Sequence, residues 1–181
     1  MSAEPEPVLD ELWLNDRSEY QLNFVHGLRN PAGLHIQYHL ERGDDVEGDT
    51  ADPPGHRVVA EWVADERHMG FPGMVHGGLV AAILDDAMGR CAALRHRWVV
   101  TGRIDIRYRA AAPIGIPIRI EGWITRYLRR LVSARARMLL DGGAVVATAA
   151  GTYLPLTAEL ERRATEQWPG FAEFLGREDT G

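Results

Sequence analysis

The run His76-Gly77-Gly78 opens a long apolar stretch, and Asp85 follows Gly78 seven positions later. If that stretch is helical, its first N–H groups point outward unpaired, at the positive end of the helix dipole. Glycines at such a mouth let a substrate oxygen reach the backbone donors without meeting a Cβ. Seven steps of 100° return almost to the same azimuth, which places Asp85 on the side of the mouth. Donors aimed at a developing oxyanion contribute about 2.7–4 kcal/mol each in other enzymes, and a carboxylate beside them activates water. Taken singly, the glycines have a plainer explanation as a tight turn, and the aspartate as a buried hydrogen-bond partner. At this spacing the two together favour a functional role, a carbonyl polarised at the helix mouth on the side that bears a carboxylate.

The elements that must hold these groups are legible from periodicity. A helix is predicted from Val75 to about Leu94. Val80, Leu84, Ala87 and Cys91 gather on one side of its wheel, flanked by Ile83 and Met88, as the face that lies on a sheet. Asp86 and Arg90, four apart, fall on another side and predict a solvent-facing ion pair. Asp85 shares a narrow strip with the small residues Gly78, Ala82, Gly89 and Ala92, which permits close approach of a backbone or ligand. Strands are predicted at 35–40 and 57–64, and after the helix at 98–109, 116–127, 131–140 and 144–154. Asp141-Gly142-Gly143 marks the last hairpin turn. An isolated apolar helix needs cover on several sides, and a curved antiparallel sheet wrapped around it is the simplest α+β solution. The open sheet edge suits a second copy. Residues 1–30 read as an acidic lead with a short amphipathic helix, 31–156 as one domain with an exposed loop at 42–57, and 157–181 as a partly helical tail.

Composition narrows the chemistry. All 20 basic residues of the 181 are arginine, against 26 acidic ones, for a net charge of −6. Without lysine there is no Schiff base, no pyridoxal phosphate anchor and no P-loop lysine. The lone Cys91 leaves no intramolecular disulfide and no CxxC metal knuckle. His35 and His39 share a strand face but have no third ligand nearby, so no metal is expected. An acidic chain is a poor general nucleic-acid binder. Asp85 and Asp86 interrupt the longest apolar run, so no membrane span is predicted, and the start lacks the features of a secretory leader. A soluble, reduced, cytoplasmic protein is the expectation.

Over about residues 24–154 the chain resembles the hotdog-fold acyl-CoA thioesterases of the phenylacetate-degradation type and related thioesterase superfamily members. The resemblance rests on His76-Gly77-Gly78 with an acid nine positions after the histidine, and on Thr101-Gly102-Arg103-Ile104-Asp105-Ile106-Arg107-Tyr108-Arg109-Ala110. Asn30-Pro31-Ala32-Gly33-Leu34 and Gly151-Thr152-Tyr153 add to it. It implies a hotdog fold, a curved antiparallel sheet wrapped around one long central helix. It also implies hydrolysis of an acyl-CoA to free acid and coenzyme A, with no cofactor beyond the coenzyme A of the substrate. By that resemblance the N–H of Gly78, with that of Gly77, polarises the thioester carbonyl, and Asp85 is general base or nucleophile. Thr101 of the neighbouring subunit orients water or the acid, and His76 shapes the helix mouth. A homodimer or a tetramer of two dimers is implied.

Asn30, Arg129 and Arg130 are candidate substrate contacts, since arginine forks suit the phosphates of coenzyme A. Arg135 and Arg137 with Ser133 read as a polar sheet face. One misfit stands out: strict alternation groups Thr101 with Arg103 and Asp105, opposite Ile104, Ile106 and Tyr108. Thr101 serves the site only if Gly102 supplies a bulge or bend. Two rival readings use the same residues. One is a non-catalytic acyl-CoA-binding module built on the helix-mouth glycines. The other is a hydratase or dehydratase of the same fold, with His76 and Asp85 as its acid–histidine pair and His68 nearby.

Overall fold

The computed structural model of the chain describes residues 22–42, 56–93, 98–128 and 130–167. In chain order the elements are β1 (His39–Arg42), β2 (His56–Val63), β3 (Met69–Phe71), β4 (Met74–Val75), α1 (Gly77–Ala93), β5 (Val99–Tyr108), β6 (Pro117–Leu128), β7 (Leu131–Leu139), β8 (Val145–Pro155) and α2 (Ala158–Gln167). Six strands form one antiparallel sheet in the order β1-β2-β6-β7-β8-β5, and β3 and β4 form a small ribbon of their own.

The sheet curls around α1 because its concave face is apolar and shallow under the helix. Ile118 and Ile120 of β6 alternate inward with Gly122, and β7 and β8 add Ala134, Ala136, Ala147 and Ala149, all buried. Small floor residues bring the helix close. An added Cβ at Gly122 would sit 2.9 Å from the Ala87 carbonyl oxygen and 3.0 Å from Cys91 Sγ. Val80, Ile83, Leu84, Ala87, Met88 and Cys91 meet this floor and are no more than 2% exposed. The hairpin between β7 and β8 turns through Gly142 and Gly143, with φ of 76° and 83°, where a side chain would be strained.

Three expectations are corrected. The first strand begins only at His39; from Leu34 to Tyr38 the chain keeps strand-like alternation but bonds to Phe24 and Val25 instead of to the sheet. Val25 and His26 are core residues, so part of the expected lead belongs to the packed fold. The remainder of that lead, including most of its predicted amphipathic helix, lies outside the described residues. Most important, Asp86 and Arg90 do not face solvent. The strap of residues 22–38 covers them: the His26 Nδ1–H donates to Asp86 Oδ1 at 3.0 Å, and Arg90 donates to the other ring nitrogen. Burial works to raise the Asp86 pKa, but the hydrogen bond from His26 and the charge of Arg90 outweigh it and hold the carboxyl below its usual value. At the far end of the chain, the predicted tail helix forms as α2, laced by Arg162 and Arg163 pairing with Glu159.

Candidate functional site

α1 begins under its own cap. His76 Nδ1 accepts the N–H of Gly78 at 2.9 Å, so the imidazole sits on the donor expected to polarise a substrate. An accepting Nδ1 is unprotonated, which leaves the ring proton of the neutral form on Nε2. The expectation is corrected to this extent: of the two glycine donors, Gly77 N–H meets no acceptor among the described residues, while Gly78 N–H is occupied until the ring turns away. The β3–β4 ribbon presses on the mouth from one side; an added Cβ at Gly70 would lie 2.6 Å from the His76 Cα. Tyr108 braces the other side, its hydroxyl donating to the Gly77 carbonyl at 2.9 Å. Between them opens a cavity of about 560 Å³, walled by Phe71, Met74, Val75, Val80 and Tyr108 around His76 and Gly77.

Asp85 lies two turns further on, about 10 Å along the helix axis from Gly78, and is half-buried. It does not line that cavity. Its carboxylate is held from two strands. Tyr153 of β8 donates to Oδ1 at 2.8 Å and lies 3.1 Å from the Asp85 carbonyl oxygen. Thr101 of β5 stands 2.9 Å from Oδ1 and 3.1 Å from Oδ2. Thr101 faces inward because the pairing of β5 with β8 slips between Thr101 and Arg103. Gly102 is the extra residue of that bulge, which resolves the alternation misfit. Within one chain, then, Asp85 already has a Thr101 hydroxyl against it, whereas the resemblance assigned that role to the neighbouring subunit.

Tyr153 was visible in the sequence only as the end of a strand. Burial first, and the adjacent Asp85 charge second, push its phenol far above the ordinary value, so it remains a protonated donor. Gly151 makes room for it: an added Cβ would lie 2.8 Å from Tyr153 Cε2 and 3.0 Å from its hydroxyl oxygen. The available signal was this glycine–tyrosine pair at i and i+2 on the inward face of the last strand. Beside the carboxylate the small-residue strip is open at Gly89, where an added Cβ would meet nothing within 4 Å. Ala92, expected in the same strip, is instead buried. An oriented carboxylate with open space along its helix can present a lone pair to water or to an acyl carbon.

The other candidates separate. Asn30 has both ends of its amide engaged in its own loop, donating to the Leu22 carbonyl and accepting from the Ala32 N–H. It braces a turn. Arg129 lies outside the described residues. Arg130 is exposed at the β6–β7 turn, at the end of the sheet where Val132 pairs with Tyr153. His68 accepts the Asp65 N–H and packs edge-on against Trp62, and His39 pairs with Glu41. His76 bonds Gly78 and Asp85 bonds Thr101 and Tyr153, so one chain forms no acid–histidine pair from His76 and Asp85.

Comparison with known proteins follows the same lines. The Thioesterase superfamily matches residues 72–147, from the β3–β4 turn into β8. An acyl-coenzyme A thioesterase of Mus musculus is 29% identical over 102 residues, 54% of this chain and 39% of the relative. The match thus spans well under half of that relative's length. The crystal structure of zebrafish thioesterase superfamily member 2 superposes with a TM-score of 0.58 at 21% identity, covering 73% of this chain and 92% of that one. A hypothetical thioesterase of Streptococcus pneumoniae, crystallised with coenzyme A, gives a TM-score of 0.54 at 18% identity over 65% and 87%.

Proposed function

We propose, from the match of residues 72–147 to the Thioesterase superfamily and from the hotdog fold, that the protein hydrolyses acyl-CoA thioesters to a free acid and coenzyme A. The observation that carries the proposal is Asp85, fixed by Thr101 and Tyr153 beside an open strip of the central helix. Water, deprotonated by Asp85, adds to the thioester carbonyl; the tetrahedral oxyanion rests on backbone N–H groups at a helix mouth; the C–S bond breaks and the sulfur takes up the proton. If Asp85 attacks directly, an anhydride forms first and water then opens it. Backbone donors and one carboxylate are sufficient for either route.

Geometry within one chain adds a requirement. The mouth of α1 and Asp85 are about 10 Å apart along the helix, whereas an attacking group must lie roughly 3 Å from the carbonyl it attacks. Donors and carboxylate of one copy therefore serve different carbonyls. A second copy, presenting its helix mouth to the Asp85 of the first, completes a site. Among the described residues nothing pairs with the outer edge of β5, and this edge is where a homodimer, or each half of a tetramer, would form.

A thiol-trapping assay across short, long and aromatic acyl-CoAs tests the activity directly, because simple binding or hydration of a double bond releases no thiol. The shared site is tested by mixing inactive chains. Gly77→Pro removes one donor at the first helical position, where proline is well tolerated; Asp85→Asn removes the carboxylate. Equal mixing of the two, with exchange, should restore roughly a quarter of wild-type activity through mixed dimers with one intact site. No recovery would return donor and carboxylate to a single chain.

A further inference from the structure

The convex face of the sheet, turned away from α1, carries a second cavity of about 790 Å³. Five arginines line it: Arg103, Arg107 and Arg109 from β5 and the residue following it, and Arg135 and Arg137 from β7. Asp105 is the one carboxylate in the lining, and it already pairs with Arg103 at 2.9 Å. Arg137 pairs with Glu121 at 2.7 Å. Arg107, Arg109 and Arg135 meet no carboxylate among the described residues. Register explains why the cluster converges. Arg137, Thr148 and Arg107 form one row across β7, β8 and β5, and Trp123, Arg135, Ala150 and Asp105 form the next.

This is an uneconomical way to build a merely wettable surface. The chain as a whole is acidic, yet its cations gather here around a concavity, where like charges in adjoining rows repel. Trp123, in the same lining, is 6% exposed with its ring flanked by Arg57 and Arg137 at 5.9 and 5.7 Å. Its indole N–H is buried and has no acceptor among the described residues, a state that folded proteins rarely tolerate. An anion in the cavity relieves the repulsion of the arginines, and the waiting indole donor adds a group that only an acceptor satisfies.

We propose that this face is an anion site for a small phosphate-bearing ligand of the diphosphate class, distinct from the Asp85 site on the other side of the sheet. Each guanidinium fork matches one phosphate edge, so three unpaired forks in one cavity suit two linked phosphates better than one. Inorganic pyrophosphate is the probe, titrated calorimetrically into the full chain at low salt, with ADP as a second arm. Saturable binding is expected, weakening as salt screens it. Arg107→Gln and Arg135→Gln should each weaken it roughly tenfold or more, while Arg162→Gln on α2 leaves it unchanged. Equal affinity for pyrophosphate and ADP would assign recognition to the phosphates alone, and tighter ADP binding would add the nucleoside; both support the site. No saturable heat at millimolar probe, or binding unaltered in both variants, overturns it. So does an assembly in sedimentation that Arg135→Gln dissolves in a chain blind to pyrophosphate, because that assigns the face to self-association. None of these readouts uses hydrolysis, so the site stands or falls independently of the thioesterase reading.

Discussion

Adjacent aspartates on α1 should fail in opposite ways when removed. Asp86 is 12% exposed and lies between His26 and Arg90, which are 1% and 7% exposed. Asp86→Ala leaves a buried guanidinium without its carboxylate, which costs about 3–5 kcal/mol in comparable buried pairs. Against a total stability of roughly 5–15 kcal/mol that is a large fraction, and it corresponds to a fall in Tm of about 6–20 °C for a chain of this size. Asp85→Ala costs far less. Thr101 is exposed and turns to water, and the Tyr153 hydroxyl keeps the Asp85 carbonyl oxygen, already 3.1 Å away, as its acceptor. A loss near 1 kcal/mol or below is expected. Urea denaturation followed by circular dichroism measures the stability of each variant. Thiol release, assayed well below each Tm, measures activity. Asp86→Ala should turn over normally per folded molecule, and Asp85→Ala should lose most turnover while remaining folded. An Asp86→Ala protein within about 1 kcal/mol of wild type would refute the account of the strap.

Other outcomes follow from the same contacts. Gly151→Ala drives a methyl into the Tyr153 ring and should lower turnover through displacement of that donor from Asp85, read as a fall in kcat with the fold retained; unchanged kcat would remove Tyr153 from the site. His76→Ala uncaps α1 at a cost of about 1 kcal/mol and bares the Gly78 N–H, whereas His76→Asn, which can cap, should recover the stability; abolition of hydrolysis by both would make His76 a proton carrier. The chain should lose stability in acid. Asp86 and Glu121 are both held below their ordinary values, Glu121 by Arg119 and Arg137 against the opposing effect of burial. The folded state therefore binds fewer protons than the unfolded one, so their contribution is complete above about pH 4–5 and disappears as pH falls further. A urea midpoint that is flat from pH 7 to pH 3 would contradict this.

Local pattern was enough to place most elements. The predicted strands at 116–127, 131–140 and 144–154 became Pro117–Leu128, Leu131–Leu139 and Val145–Pro155, because alternation and turn glycines act over a few residues. The inner face of α1 was legible for the same reason, as was the need for a bulge at Gly102, since a threonine on the wrong face of a strand is a conflict that sequence alone exposes. The neighbourhood of Asp85 was legible only in outline. That Tyr153 grips its carboxylate depends on how far β8 curls beneath the helix, a quantity set by the whole sheet.

Position along one chain determined which residues share a helix face; what lies against each face was decided by the fold. A helical wheel assigns Asp86 to water because it contains no information about a strap sixty residues earlier that buries it with His26 and Tyr38. Likewise, arginines from separate strands become one charged concavity only when β8 is threaded between β5 and β7. Hydrophobic period is a local property of covalent order, whereas burial and charge proximity are properties of packing between distant segments.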